Sequence, residues 1–354
     1  MISNKYYLGD LITQRREKNP GGNLPIRGVS KNGLQPPKQI DADTSIYNVY
    51  YRKDFVYNPA RMELGSIAFN DEFEKAICSS LYEVFFVHRT DLVIPEYLAL
   101  FVKNPEFARY CDYIGSGSAR EYCRFDNISK IPISLPSIDE QLKIVYDYQA
   151  ITERIDLLQK INRNLEDLAY TAYLTMIEKN KEECVLSNME KTANITTGKL
   201  NSEDAVDDGI YPFFTCSQET YKTDTYAFDQ EAVLLAGNNA SAIYPLKIFK
   251  GKFNAYQRTY VISSTHSRVS NKQLYFVLKQ KLKEFRKQSN GTATKFLTMT
   301  ILSPISVLIP PERAFNDFSE IADRNFNLIA IHNQELSTLK SLRAILLQNI
   351  TKGV

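Results

Sequence analysis

The sequence has few of the features that build metal centres, disulfide frameworks or membrane spans. Its five cysteines form no CxxC pair, and its three histidines lie far apart. No apolar run approaches the roughly 18–20 residues of a membrane span, and residues 1–6 lack the apolar core of a signal peptide. We therefore expect a cytoplasmic protein with buried, reduced thiols, no bound metal and no membrane partner.

Catalytic motifs are also missing. The sequence contains no GxxxxGK[ST] phosphate-binding loop and no GxGxxG dinucleotide turn. No acidic residue stands two positions before a lysine, which excludes the usual carboxylate–lysine nuclease pattern. Asn58-Pro59 is followed by Ala60 and Arg61 instead of the Pro-aromatic ending of an amino-methyltransferase loop. These absences predict a protein without a catalytic residue or a cofactor of its own.

One pattern occurs twice, 174 residues apart. A Gly-containing segment at 116–122 is followed by an alternating strand and a proline at 131–136, then by a long helical stretch. The segment at 290–296, the strand and proline at 305–310 and a second helical stretch repeat this order. Two diverged copies of one design imply two similar sites, as expected of a protein that reads a bipartite target.

The segment 138–181 has the pattern of one long helix. Apolar residues alternate at spacings of four and three without interruption by Gly or Pro, and Ser137 with Glu140 forms a capping box. At 1.5 Å per residue this helix is roughly 65 Å long. Asn162 is a polar position in the seam, so Asn162→Leu is expected to raise the melting temperature while loosening the register. The predicted seam consists of Ile144, Tyr148, Ile151, Ile155, Leu158, Asn162 and Leu165, with Leu336, Leu339 and Leu346 from the less regular helix 312–354.

A long amphipathic helix cannot bury its apolar stripe alone. We therefore predict an α+β protein with two similar mixed α/β domains, 1–137 and 182–311, each followed by a long helix, 138–181 and 312–354. The helices are expected to pair as an antiparallel coiled coil in a pseudo-twofold repeat, with one domain at each end. The alternative is that each helix packs only on its own domain.

The charge distribution is uneven although the net charge is only +2. Between positions 203 and 231 eight acidic residues face a single lysine, whereas 247–311 holds twelve Lys or Arg and one acid. The basic segment is suited to a phosphate backbone. A solvated helix surface is the alternative interpretation.

The order of motifs resembles the specificity (S) subunit of type I restriction-modification systems over essentially the whole chain. Residues 57–61 leading to 65–68 are similar to a strand-turn pattern of the first recognition domain in that family. The second copy follows the family order through 211–214, 232–238, 253–259, 291–296 and the strand at 305–310. The first copy departs from it, since Arg120-Glu121-Tyr122 replaces Thr294-Lys295-Phe296.

This resemblance implies a mechanism without catalysis in this chain. Each domain would be a target-recognition domain that reads one half of a split double-stranded DNA sequence, and the helices would set the gap. Two modification (methyltransferase) subunits would dock on them, bring S-adenosylmethionine and methylate a flipped-out adenine. Motor-nuclease restriction subunits would join for cleavage. Half-sites one helical turn apart lie about 34–36 Å from centre to centre.

Candidate DNA contacts are side chains that bind phosphates or base edges. In the second domain they are Lys199, Asn238, Asn239, Tyr256, Arg258, Thr292, Thr294 and Lys295. The alternative interpretations are turn formers for the two asparagines, an ordinary loop for the threonines and an ion-pair partner for Arg258. In the first domain the candidates are Arg27, Lys31, Arg61, Ser116, Ser118 and Arg120. The alternative interpretation of Arg61 is a structural one, in which its side chain stabilises the turn at Pro59.

Two rival functions remain open from the sequence. A coiled-coil scaffold would use the helices to bind other proteins and would show no salt-dependent DNA binding. A self-contained nuclease or methyltransferase would be active alone with magnesium or S-adenosylmethionine. The recognised bases and the gap length do not follow from the sequence, because loop side chains and DNA shape set them jointly.

Overall fold

The structure is a computed structural model that describes residues 4–37, 39–40, 43–115, 122–239, 243–288 and 295–351. The chain divides into two compact units. The first unit contains residues 1–158 and 334–354, and the second contains residues 159–333. Each unit therefore includes part of both long helices.

Strands are numbered in chain order. Those of the first unit are β1 (Asn4–Tyr7), β2 (Ile12–Arg15), β3 (Gly28–Ser30), β4 (Gly33–Gln35), β5 (Asn48–Tyr51), β6 (Phe55–Tyr57), β7 (Ile67–Phe69), β8 (Lys75–Cys78), β9 (Glu83–Val87) and β10 (Pro132–Leu135). Those of the second are β11 (Val185–Asn188), β12 (Ala193–Thr197), β13 (Tyr211–Phe214), β14 (Thr220–Thr223), β15 (Phe228–Ala236), β16 (Asn238–Asn239), β17 (Leu246–Ala255), β18 (Thr259–Ser264), β19 (Lys295–Phe296) and β20 (Ser306–Ile309).

The α-helices are α1 (Pro95–Val102), α2 (Pro105–Gly115), α3 (Phe125–Ile128), α4 (Ile138–Lys179), α5 (Met189–Thr192), α6 (Asn271–Gln288), α7 (Met299–Leu302) and α8 (Glu312–Thr351). The pattern around 95–110 predicts one helix, and the structure divides it into α1 and α2. Pro105 interrupts the hydrogen-bond ladder because it lacks an N–H. Asn104 in front of it caps α2, since its Oδ1 accepts from the Glu106 N–H at 3.0 Å.

Both units are built around the same antiparallel sheet core. In the first unit the strand order is β2-β9-β6-β7, and in the second β12-β18-β15-β17 continues into β13 and β14. A separate strand pair joins the first strand of each repeat to the strand before its long helix, β1 with β10 and β11 with β20. The repeat seen in the sequence is therefore a repeat of strand pairing, and the predicted fold class is confirmed.

The β15–β17 hairpin curls over the face of its own sheet. Ala255 ends β17 beside the start of β15, where Phe228 pairs with Phe253. Only four residues later Thr259 begins β18 opposite Ala236, the last residue of β15. A straight β15 of nine residues would separate these points by roughly 26 Å, because eight steps of about 3.3 Å join its ends. Gly251 in β17 has a φ of +133°, a conformation that favours glycine.

The curled hairpin encloses one apolar cluster, and the opposite face of the sheet packs on helices. Phe253 and Ala255 lie against Leu234 and Val261 on the inner side of the curl. Val233, Leu235 and Ile262 point the other way into a core shared with α6 and the long helices. Successive side chains of β15 point to opposite faces of the sheet, as in any strand, so they contribute alternately to the two cores.

Helices α4 and α8 pair antiparallel within each unit, as the sequence predicts. In the first unit Ile155, Leu158 and Leu336 are buried together, with Ile151 and Leu339 packed against them. Val145 shares a core with Ile350, so the two segments run in opposite directions. Ile144 and Tyr148 lie at the edge of that core, and Leu346 is half-buried.

In the second unit the pairing is partly polar. His332 Nδ1 lies 2.7 Å from Asn162 Oδ1, and Asn325 donates to the Leu165 carbonyl at 3.0 Å. The rings of Tyr173 and Phe318 also pack together, with 6.2 Å between their centroids.

The start of α4, in the first unit, has the predicted capping box. The Ser137 N–H donates to the Glu140 carboxylate at 3.1 Å, and the Glu140 N–H donates to Ser137 Oγ at 3.3 Å.

Candidate nucleic-acid interface

Five segments of the second unit meet where β15 ends and β18 begins. We call them the second-unit loop cluster, and they are residues 198–200, 215–217, 237–239, 256–258 and 295–297. Backbone hydrogen bonds tie four of them together, and the Cys216 thiol joins the fifth to the Arg258 carbonyl. The Gly237 N–H donates to the Arg258 carbonyl at 2.7 Å, and the Leu297 N–H donates to the Gly237 carbonyl at 2.8 Å. The Gln257 N–H donates to the Leu200 carbonyl at 2.9 Å.

Two glycines allow these segments to pack so closely. A Cβ at Gly198 would lie 1.8 Å from the Ala255 carbonyl oxygen. One at Gly237 would lie 2.5 Å from the Arg258 carbonyl oxygen. Both contacts are with backbone atoms, which cannot move aside as a flexible side chain can. The loop cluster is consequently held at a fixed geometry, as a recognition surface requires.

The cluster gathers the candidate residues of the second domain that are far apart in sequence. Lys199 is exposed, and Tyr256 is half-buried with its backbone bridged to Leu200. Asn238 lies on β16 opposite Phe296 of β19. The guanidinium of exposed Arg258 lies over the Phe296 ring, 5.2 Å from its centroid. A stacked guanidinium keeps its in-plane N–H groups available for an anion or a base edge.

The structure bears differently on the alternative interpretations of Arg258 as an ion-pair partner and of Asn239 as a turn former. Among the described residues Arg258 is in no ion pair, and its contact is the Phe296 ring. Asn239 has the local role of a turn former, because its Oδ1 accepts from the Ile243 N–H at 3.4 Å. Its backbone pairs with Lys295 in the β16–β19 ladder.

Lys247 and Cys216 support the cluster from the side, and sequence reasoning missed both. Lys247 Nζ donates to the carbonyls of Ser217 at 3.3 Å and Glu219 at 2.8 Å, and to Thr220 Oγ1 at 3.1 Å. Burial lowers the pKa of Lys247 to about 8. Cys216 Sγ donates to the Arg258 carbonyl at 3.4 Å. The one sequence signal for this support is that Lys247 lies between apolar residues at the beginning of β17, a strand with three lysines.

The first unit contains the corresponding loop after β6. The Cys123 N–H donates to the Pro59 carbonyl at 3.0 Å, as the Leu297 N–H does to Gly237. Exposed Arg61 lies in this loop. The guanidinium of Arg124 lies over the Tyr122 ring at 5.6 Å. Tyr122 precedes Phe296 by 174 residues, so each unit pairs an arginine with the aromatic residue at the same place in the repeat.

The other first-domain candidates lie elsewhere or outside the described residues. Arg27 sits before β3, where its guanidinium covers the Phe73 ring at 4.6 Å, and Lys31 is exposed in the β3–β4 turn. No described contact joins these two residues to Arg61. The predicted contacts outside the described residues are Ser116, Ser118, Arg120, Thr292 and Thr294, together with the side chain of Lys295.

The site has the chemistry of a binding surface. Within the described ranges no group of His, Cys, Asp and Glu side chains is arranged to hold a metal ion. Over the same ranges, no helix is long and apolar enough to span a bilayer. Cationic and amide side chains on rigid loops can contact phosphates and base edges.

Comparisons with known proteins agree with this geometry. The family model for the type I restriction modification DNA specificity domain matches twice, at residues 8–167 and 178–341. The chain is 39% identical over 116 residues to the EcoDI specificity subunit of Escherichia coli, a match that covers 33% of this chain and 25% of that subunit. It is 23% identical over 302 residues to the MjaIX specificity subunit of Methanocaldococcus jannaschii, covering 74% of this chain and 69% of the relative.

The fold has a solved counterpart. The S subunit of a type I restriction-modification system from M. genitalium superposes with a TM-score of 0.63 at 14% identity, covering 99% of this chain and 96% of that one. This likeness concerns the fold alone. Because two copies of the family domain together cover most of the sequence, the chain belongs to the type I restriction-modification DNA specificity family.

Proposed function

We propose that this chain is the DNA-recognition subunit of a type I restriction-modification complex, in which each unit reads one half of a bipartite target. The observation that carries the proposal is the repeated loop geometry. In each unit an arginine lies over an aromatic ring beside the loop that follows a central strand, β6 or β15. Arg124 lies over Tyr122 in the first unit, and Arg258 lies over Phe296 in the second. Two equivalent cationic loop clusters match the needs of a target with two half-sites.

The long helices would set the gap between half-sites and dock two methyltransferase subunits. Those subunits would carry S-adenosylmethionine and transfer its methyl group to adenine, and motor-nuclease subunits would cleave unmodified DNA. The chain itself would position the DNA and perform no catalysis. The second-unit loop cluster supplies Lys199 and Arg258 for this task, with Tyr256 and Asn238 beside them.

The test is binding of the full chain to duplex DNA, followed by fluorescence anisotropy at increasing salt. Duplexes that contain the target should bind more tightly than scrambled ones, and affinity should fall steeply with salt because phosphate contacts release counterions. Adding the methyltransferase subunits and S-adenosylmethionine should then methylate adenines in both half-sites. Salt-independent or absent binding would favour a scaffold, and methylation by the lone chain would make it an enzyme.

A further inference from the structure

The loops after β6 and β15 are equivalent parts of the repeat. Strand β6 lies between β9 and β7, and β15 lies between β18 and β17. Each loop is closed by a hydrogen bond at its base, from the Asn58 N–H to Ser66 at 3.0 Å and from the Ala236 N–H to Pro245 at 3.0 Å. In each loop one carbonyl accepts a hydrogen bond from the segment that follows the repeated Gly-containing stretch. The Pro59 carbonyl accepts from the Cys123 N–H, and the Gly237 carbonyl accepts from the Leu297 N–H.

These equivalent loops carry different side chains. Arg61 lies three residues after Asn58, and Asn238 lies two residues after Ala236, the residues whose N–H groups close the two loops. The backbone of Arg61 is fixed, because its N–H donates to Asn58 at 3.0 Å and its carbonyl accepts from Ser66 at 3.2 Å. Among the described residues its exposed guanidinium has no hydrogen-bond or ion-pair partner. A fixed backbone with an uncommitted side chain is preorganised for binding.

Asn238 is held on the same side of the second loop cluster as the stacked arginine. Residues directly opposite in an antiparallel pair project to one face, so Asn238 and Phe296 share a face. Arg258 lies over the Phe296 ring. In the described part of the chain the Asn238 amide has no hydrogen-bond partner, so both its donor and its acceptor are available.

The two side chains have different complements among the bases. Arginine donates two parallel N–H bonds to O6 and N7 of guanine. An asparagine amide donates to N7 of adenine and accepts from its N6 amino group. We propose, as a consequence of the proposed function, that Arg61 specifies a guanine in one half-site and Asn238 specifies an adenine in the other. The equivalent loops would thus give the two half-sites different sequences.

The experiment is a binding selection with the full chain on duplexes that contain random positions, read by sequencing. Variants are Arg61→Asn and Asn238→Ala, each compared with the wild type. We expect Arg61→Asn to lose the preference for guanine at one position by about tenfold, the scale of one bidentate base contact. Asn238→Ala should lose a preference for adenine at one position of the other half-site, and each variant should leave the remaining half-site unchanged.

Arg89→Asn is the matched control. Tyr57 at the end of β6 pairs with Glu83 at the start of β9, so the Arg61 loop lies at that edge of the sheet. Arg89 follows the end of β9 at the opposite edge and is 45% exposed. Its substitution removes the same charge without touching the loop, and we expect both half-sites to be retained.

The outcomes separate this proposal from the function on which it rests. If the wild type enriches no bipartite sequence, the proposed function fails. If it enriches one, but Arg61→Asn weakens all sequences equally, Arg61 contacts phosphate and the base assignment is wrong. An unchanged preference in both variants also overturns it. Melting temperatures of all variants establish that a lost preference does not come from unfolding.

Discussion

Arg258 lies over the ring of Phe296, although 37 residues separate them in the sequence, and Arg124 lies over Tyr122 in the other unit. The aromatic residue occupies the same place in both repeats, but the arginine comes from different elements. Arg258 belongs to the turn between β17 and β18, whereas Arg124 immediately precedes α3. The repeat has therefore retained the contact of a cation with a ring while the source of the cation differs.

Substitution of Arg258 should weaken DNA binding through the second unit. Arg258→Ala removes a positive charge from the loop cluster, so affinity should fall and the salt dependence should decrease by about one unit of slope if the guanidinium contacts a phosphate. Arg258→Lys should retain part of the affinity, because it keeps the charge and loses the planar stacking. Titrations by fluorescence anisotropy at several salt concentrations measure both quantities.

Arg313→Ala is the control for this prediction, since Arg313 is an exposed arginine in the first turn of α8. It lowers the net charge by the same amount without altering the loop cluster. Equal losses of affinity in Arg258→Ala and Arg313→Ala would indicate a general charge effect and would contradict a specific contact.

The Arg15–Asp54 pair should be important for the stability of the first unit. Arg15 Nε donates to Asp54 Oδ2 at 2.6 Å and Nη2 donates to Oδ1 at 3.1 Å, while Asp54 is 2% exposed. Asp54→Ala leaves the guanidinium without its partner, so the free energy of unfolding should fall by about 3 kcal/mol, as for other broken buried pairs. Urea unfolding followed by circular dichroism measures the change. Asp91→Ala breaks the exposed pair with Arg89 and should have no measurable effect.

The titration of Lys247 should make the free energy of unfolding depend on pH in the alkaline range. Burial lowers its pKa in the folded chain to about 8, from 10.5 for an exposed lysine. Between these values the unfolded chain holds a proton that the folded chain has released, so unfolding becomes less favourable as pH rises. We expect the stability of the wild type relative to Lys247→Met to increase from pH 8 to pH 10.5. Urea unfolding at pH 7, about 8.5 and about 10 tests this sign, and a decrease would contradict it.

The contacts of Asn162 change the expected effect of substituting it. Asn162 bonds to His332 at 2.7 Å and to Asn333 at 3.2 Å, so Asn162→Leu leaves two polar partners unsatisfied. We expect the single substitution to destabilise by about 1 kcal/mol, the net value of a typical hydrogen bond. Replacing Asn162 and His332 together by leucine should recover or exceed the original melting temperature, because an apolar pair restores the seam. A higher melting temperature in the single variant would support the expectation from sequence instead.

The elements that the sequence predicts well are those with a strong local period. The sequence predicts the long helix over 138–181, and the structure has it at Ile138–Lys179. The pattern near 271–288 likewise predicts a helix, which the structure has at Asn271–Gln288. The hydrogen bonds of the Ser137–Glu140 capping box were likewise predictable, because they join residues three apart. Helical periodicity and capping act over one or two turns, so a short window of sequence contains the needed information.

The loop clusters were predicted only as separate candidates. Residue type alone predicts Lys199, Asn238 and Arg258, and the sequence contains no indication that backbone hydrogen bonds join their loops. Lys247 was not selected at all, because its role depends on carbonyls at 217 and 219. The division of 95–110 into two helices was also missed, although Asn104-Pro105 was visible.

The sequence by itself determined the duplicated design, the two long helices with their apolar seam, the absence of recognised catalytic motifs and the membership in a family of DNA specificity subunits. Tertiary structure alone decided that the β15–β17 hairpin curls over its sheet, that Arg258 meets Phe296, and that Arg61 and Asn238 occupy equivalent loops. The physical reason is the range of the interactions. Periodicity and capping are set by neighbouring residues, whereas strand register and loop packing depend on pairings between residues tens of positions apart.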